Sequence, residues 1–174
     1  VVMALENVDP DIKNILSRAV SRADDVFSQL SDHAHRKRND AGPVNIIECI
    51  REIAEEKLIG WGSCAIEMED VPLDEVFVLA NQSELKRTIS NLLENSFEAM
   101  ERNIEKKIVI NYAQGDGESI VRICDSGVGM SAEVLSKIGT KGFSYGKSES
   151  SKSGSGLGLY HALQSVQSWG GVLS

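Results

Sequence analysis

Apolar residues recur near the start of the chain at steps of four and three: Ile12, Leu16, Ala19, Ala23, Val26 and Leu30, with His33 closing the series. The spacing predicts one long amphipathic helix with a coiled-coil seam, opened by Asp9 as N-cap and Pro10 at the first helical position. A helix of about 22 residues, some 33 Å long, has no way to bury its own stripe and needs a partner helix or a place on its own domain. Asn39 to Pro43 reads as a linker. Beyond it, Asn45 and Glu48 form a capping box for a helix with Ile46, Ile47, Ile50 and Ile53 on one side, stopped by Gly60-Trp-Gly62.

The pattern then shortens. Ala65–Met68 and Val76–Leu79 read as strands around the turn at Pro72. A long helix follows from about Ser83 to Arg102, with Glu84, Thr88, Asn91, Asn95, Glu98 and Arg102 in one narrow polar stripe. Leu85, Ile89, Leu92, Leu93, Ser96 and Met100 face the other way, toward a sheet. Lys107–Tyr112 and Ser119–Cys124 predict a hairpin around Gln114–Gly117. A helix is expected near Ser131 with Val134, Leu135 and Ile138 as its apolar side, and another from Gly158 to Trp169, stopped by Gly170-Gly171. Val172–Ser174 reads as the start of a strand. Between the last two helices, residues 139–155 hold almost no core-forming side chain except Phe143 and Tyr145 and predict a mobile loop. The expected architecture is α+β: a two-layer sandwich, a mixed sheet covered on one face by helices, over residues 41–174. The long amphipathic helix of residues 1–40 precedes it as a separate unit.

Composition narrows the function classes. The net charge of −8 disfavours nucleic acid as a partner, because a phosphate backbone demands a basic surface. Cys49, Cys64 and Cys124 are odd in number, widely spaced and set among apolar neighbours, which predicts reduced core thiols in a cytoplasmic protein and no zinc site. No apolar run approaches the roughly 18 residues of a membrane helix, so no membrane contact is expected within these residues. His33 and His35 sit beside Arg36, Lys37 and Arg38 at the end of the first helix, where cations suit the dipole, and read as solvated or structural.

Three stretches carry candidate chemistry. Asp125-Ser-Gly-Val-Gly-Met130 follows the strand Ile120–Cys124, placing a carboxylate at the strand's mouth, with Gly127 and Gly129 open to a flat ligand. Taken alone, it reads equally well as an ordinary turn. Asn91 and Asn95 place carboxamides where a plain surface helix would favour Lys and Glu, and carboxamides suit a ligand. Gly154-Ser-Gly-Leu-Gly-Leu-Tyr160 opens a helix whose amides suit phosphate. A dinucleotide fold would need an apolar strand before those glycines, where Ser148–Ser153 stands instead.

In order and spacing these stretches resemble the N, G1 and G2 boxes of the superfamily that joins histidine kinases, type II topoisomerase and heat-shock chaperone ATPases, and mismatch-repair ATPases. The likeness covers residues 45–174 and is greatest to sensor histidine kinases. It implies ATP and Mg²⁺ as ligands, with Asn95 in the metal shell and Asn91 as a second candidate. Asp125 would accept from the adenine amine beside Gly127, Gly129 and Met130. The amides of Gly154, Gly156, Leu157, Gly158 and Leu159 would face phosphate, and residues 139–155 would form an ATP lid containing Lys141 and Phe143. Glu98 stands where many histidine kinases carry Lys.

The long first helix resembles the second helix of a dimerisation hairpin, which implies a homodimer and a response regulator as partners. Neither His33 nor His35 has the acidic residue and later Pro that follow the family's phosphoacceptor. That histidine, the first hairpin helix and further C-terminal strands are therefore expected outside these 174 residues, and a membrane anchor is compatible with the full-length protein. Asn91 occupies the position where hydrolytic ATPases and anti-sigma serine kinases carry Glu, so little hydrolysis is expected. Those two activities, and a nucleotide-binding interaction module without transfer chemistry, are the alternatives.

Overall fold

The computed structural model describes residues 41–115, 117–140, 143 and 157–174. The helix expected within residues 1–40 and most of the expected lid lie outside the described residues. Asn45 opens the first helix as expected: its Oδ1 accepts from the amides of Ile47 (3.2 Å) and Glu48 (3.4 Å). Helix α1 then runs over Ile46–Trp61, burying Ile47, Cys49, Ile50, Ile53 and Ala54, with Gly62 as its C-cap. Before it, part of the expected linker is strand β1, Gly42–Asn45, because Val44 has an antiparallel partner in β3, Phe77–Ala80. Strand β2, Cys64–Glu69, does not join that pair; it runs parallel to β4, Lys106–Gly115. The two strands flanking Pro72 therefore belong to different sheets.

Strand β4 also pairs antiparallel with β5, Glu118–Asp125, in a register running from Gly115↔Glu118 to Ile108↔Asp125. The three-stranded sheet has the order β2-β4-β5. Its period-two alternation divides its faces. Ile108, Ile110 and Tyr112 turn inward against Ile50, Ile53 and the apolar side of α2, Gln82–Ala99, where Leu85, Ile89 and Leu93 are buried. The opposite face is polar, with Asn111 donating to Glu69 (3.1 Å) and Lys107 paired with Glu67 (2.8 Å).

This alternation corrects one expectation. Cys124 shares the open face with Ile120 and Arg122 and is exposed, whereas Cys49 and Cys64 are core residues. Burial pushes the Cys49 and Cys64 thiols above their ordinary range, against the smaller opposing effects of Lys86 and Lys106.

Helix α2 stops three residues before Arg102, capped by Met100, which is fully buried (0% exposed) and plugs the end of the core. Helix α3 is short, Ala132–Leu135; Ser131 Oγ caps it by accepting from Val134 N (3.3 Å). Val134 is buried, but Leu135, expected on the same apolar side, is 55% exposed, because one turn of helix offers a single inward position. Helix α4, Gly158–Ser168, ends in a Schellman motif: Gly171 N donates to Val166 O (2.9 Å), Gly170 N donates to Gln167 O (3.1 Å), and Gly170 takes φ +82°. Val172–Ser174 forms no strand with any described residue.

Candidate nucleotide-binding groove on helix α2

Asn91, Asn95 and Ala99 follow one another at four-residue intervals on α2 and so share a face. At one end of this row, Asn91 Nδ2 donates to the carbonyl of Gly158 (3.3 Å), the first residue of α4. At the other end, Ala99 carries the turn that follows β5: Val128 N donates to Ala99 O (3.4 Å), and a Cβ on Gly127 would lie 2.8 Å from Ala99 Cβ. The start of α4 and the Asp125 turn therefore meet the same helix eight residues apart, about 12 Å at 1.5 Å per residue. Asn95 lies between them and is exposed.

The polar stripe of α2 is not free along its whole length. Helix α4 packs beside α2, and Ser165 Oγ donates to Glu84 Oε2 (3.3 Å). Thr88, on the same stripe, is only 5% exposed. Among the described residues, the first half of the stripe thus meets α4 through Glu84 or is buried at Thr88, whereas Asn95 and Glu98 in its C-terminal half are exposed. A closer constraint lies next to α3. Gly139 takes φ +78°, and a Cβ there would strike Leu163 of α4, so the chain leaving α3 is pressed against the helix that Asn91 holds.

At the β5 end the chemistry is a carboxylate beside apolar side chains. Asp125 is exposed, its Oδ1 accepts from Gly127 N (2.9 Å), and among the described residues Oδ2 has no partner. Val128 and Met130 are both exposed next to it, and Gly129 takes φ +67°. Such a surface can accept one hydrogen bond from a flat group laid over apolar atoms. Gly127 is also required by packing, because a Cβ there would meet backbone as well as side chain.

At the α4 end, Leu157 stands at the N-cap without a side-chain hydrogen bond, and the first intrahelical amide is His161 N on Leu157 O (2.8 Å). The amides of Gly158, Leu159 and Tyr160 precede it and have no intrahelical acceptor, which is the arrangement that receives an anion. Phe143 is half-buried and donates its amide to Thr140 O (3.0 Å). Lys141, Gly154 and Gly156 lie outside the described residues. Glu98 is exposed, three positions beyond Asn95. Glu94 is turned elsewhere, accepting from Lys57 of α1 (2.6 Å) and from Ser90 (3.3 Å).

Among the described residues no group of three or more His, Cys, Asp or Glu side chains could hold a metal as a cage. The groove does fit Mg²⁺ in its usual association with nucleotides, where one neutral oxygen such as the Asn95 carboxamide joins phosphate oxygens and retained waters. A separate concavity lies between α1 and residues 73–75. It is lined by the carboxylates of Glu48, Glu52, Glu55, Asp74 and Glu75 around Arg51, a charge that repels phosphate.

Sequence reasoning missed Asn103 and Ser126. Asn103 Nδ2 donates to Ser126 O (2.6 Å), and Ser126 Oγ accepts from Lys107 N (3.3 Å). Nothing local signals that pair, since the two residues stand 23 positions apart and neither belongs to a periodic pattern.

Known proteins share this fold. Residues 80–174, which include α2, the Asp125 turn and α4, match the family model described as histidine kinase-, DNA gyrase B-, and HSP90-like ATPase. Sporulation kinase B of Bacillus subtilis (strain 168) is 24% identical over 167 residues, covering 94% of this chain and 37% of that protein. The C4-dicarboxylate transport sensor protein DctB of Rhizobium meliloti (strain 1021) is 25% identical over 175 residues, covering 99% of this chain and 26% of that protein. The chain thus spans about a third or less of the length of these curated relatives. Among solved structures, the mycobacterial sensor histidine kinase MprB superposes with a TM-score of 0.63 at 24% identity, over 75% of this chain and 80% of that one. The catalytic domain of histidine kinase ThkA gives 0.58 at 25% identity, over 75% and 82%. With a shared sheet-and-helix architecture and a family match that spans the whole groove, the chain belongs to the histidine kinase-, DNA gyrase B-, and HSP90-like ATPases.

Proposed function

We propose that this chain is the ATP-binding catalytic portion of a sensor histidine kinase. ATP lies along α2 with its base at Asp125 and its phosphates at the start of α4. The observation that carries the reading is the single row Asn91, Asn95 and Ala99, which joins the carboxylate turn to the helix N-terminus. Asp125 Oδ2 accepts from the exocyclic amine of adenine; a guanine carbonyl at that point would repel it. The amides of Gly158 and Leu159, which have no intrahelical acceptor, hold phosphate oxygens through the positive end of the helix dipole. Asn95 joins the metal shell, with Asn91 bracing α4 beside it. Mg²⁺, when bound, supplies neutralisation of phosphate charge. Lys141 and Phe143, with Gly154 and Gly156, belong to the segment that flanks the phosphates.

Transfer breaks the bond from the γ-phosphorus to the β,γ-bridging oxygen and forms one to an imidazole nitrogen, with ADP as the leaving group and the imidazole proton passing to solvent. The residues of this chain position the nucleotide and stabilise charge, as phosphoryl transfer chiefly requires. The accepting histidine belongs to a dimerisation hairpin, through which two copies pair. A response regulator receives the phosphoryl group. Among the described residues no helix is long and apolar enough to cross a membrane, and the catalytic portion works on the cytoplasmic side.

Hydrolysis is the competing outcome. A water-activating base is needed at Asn91, and a carboxamide has no useful basicity near neutral pH. Glu94, three residues on, is bound to Lys57. Phosphate release should therefore stay near background with saturating ATP, while restoring the first hairpin helix should give an acid-labile, alkali-stable phosphohistidine. Sustained turnover on the order of 1 per second would reject the kinase reading for an ATPase. An alkali-labile, acid-stable product would identify a serine kinase.

A further inference from the structure

The Asp125 turn has a weakness built into its packing. Gly127 is required there, since any Cβ would meet Ala99 Cβ at 2.8 Å and Ala99 O at 2.9 Å. Glycine also leaves the Ser126–Gly127 peptide free to rotate at low cost. That peptide carries the amide that orients the Asp125 carboxylate through Gly127 N on Oδ1 (2.9 Å). Turned over, it would present a carbonyl to the carboxylate instead. The aspartate's own terminal torsion is broad and does not hold the group by itself.

One side chain opposes this rotation. Asn103 Nδ2 donates to Ser126 O at 2.6 Å, the carbonyl of that same peptide. A peptide is planar, so holding its carbonyl also holds the direction of its amide. The hydrogen bond on the carbonyl further polarises the amide as a donor to Asp125. Asn103 is in turn anchored: its amide donates to Met100 O (2.9 Å), and Met100 is fully buried at the end of α2. Ser126 Oγ is placed by Met100 Sδ (3.1 Å) and Lys107 N (3.3 Å). The carbonyl of the rotatable peptide is thus tied to the core through a side chain.

We infer that Asn103 is a positioning residue for nucleotide recognition: by holding the Ser126–Gly127 peptide it commits one oxygen of Asp125 to Gly127 and presents the other to the base. The inference rests on the reading of Asp125 as the adenine contact and names what gives that contact its direction. Asn103 touches no part of the ligand. Its effect falls on discrimination between bases and not on phosphate binding.

The test measures affinities of the 174-residue chain for ATP, inosine triphosphate and inorganic tripolyphosphate, in the unmodified protein and in Asn103→Leu, Asn103→Ala and Asn103→Gln. Inosine carries a carbonyl where adenine carries its amine. In Asn103→Leu the preference for ATP over inosine triphosphate should fall about 5–10-fold, with tripolyphosphate affinity unchanged. Asn103→Gln, which keeps the donor, should recover most of the preference. In an Asp125→Asn background, Asn103→Leu should produce no further loss. Asn103→Ala reads the same ratio if the leucine variant does not fold. An unchanged ratio in a folded Asn103 variant, or equal losses for both nucleotides, overturns the inference and leaves the Asp125 reading intact. No preference for ATP in the unmodified chain overturns that reading and the inference with it.

Discussion

The two ends of the groove on α2 are held in different ways. At the Asp125 end, the turn is bound to α2 and to β4 through Ala99, Met100, Asn103 and Lys107, and a Cβ on Gly127 has no room. At the Gly158 end, α4 is tied to α2 by Asn91 and, further along, by Ser165 on Glu84, and a Cβ on Gly158 would rest 3.5 Å from Asn91, an ordinary contact. The difference follows from what each end must recognise. A base is told from its relatives by one directed hydrogen bond, which demands a fixed donor–acceptor line. Phosphate presents charge and interchangeable oxygens, which a helix terminus can meet with tolerance in position.

The comparison breaks first, and furthest, at Asp125. Asp125→Asn should weaken ATP binding by about 1.5–3 kcal/mol, the usual worth of a hydrogen bond to a charged group, while GTP affinity should rise, because the neutral carboxamide no longer repels the guanine carbonyl. Isothermal titration with both nucleotides checks it, and equal affinity of the unmodified chain for ATP and GTP would remove the adenine assignment. Next come paired glycine substitutions. Gly127→Ala should lower stability by about 1–3 kcal/mol through overpacking. Gly158→Ala should fall within about 0.5 kcal/mol of the unmodified protein. Thermal unfolding without nucleotide compares the two; equal losses would mean that the ends are equally tight.

A smaller effect is expected from Asn91→Ala, which deletes the carboxamide bond to Gly158. The loss should be about 0.5–1.5 kcal/mol and should appear as faster amide exchange within α4, with the Asp125 turn unaffected. The smallest effect concerns the thiols. With burial holding the Cys49 and Cys64 values up, the folded state resists their ionisation. Their contribution is present below the ordinary value of 9.0 and is lost as pH rises through the higher folded values. Stability should therefore decline above pH 9. In thiol titration of the native protein, Cys124 should react first, and saturating ATP should not slow it, because its side chain lies on the sheet face away from the helices.

Much of this was legible because local chemistry and periodicity point the same way. Asn45 and Ser131 are caps by residue type, and their side chains accept the expected amides. The inward Leu85, Ile89 and Leu93 declare a helix buried on one side. What was misread depended on a distant neighbour. Strand β1 was hidden because Gly42 and Pro43 look like a linker until β3 is placed beside them. Thr88 belongs to the polar stripe of α2 by its helical position, yet the fold buries it. Cys124 looked like a core thiol on its apolar neighbours, although the alternation through Arg122 already placed it on the open face.

The sequence by itself determined the parts of the groove: a carboxylate followed by glycines at a strand end, carboxamides a helical turn apart, and a glycine-rich helix start. These are local properties, set by backbone conformation and by the period of the helix. Only the tertiary structure decided that Asn91, Asn95 and Ala99 form one row with α4 at one end and the Asp125 turn at the other, and that Asn103 holds the peptide on which Asp125 leans. Those relations join residues more than twenty positions apart, where no local preference operates. They arise because the packing of Met100, Ala99 and Leu163 leaves each element a single place to sit.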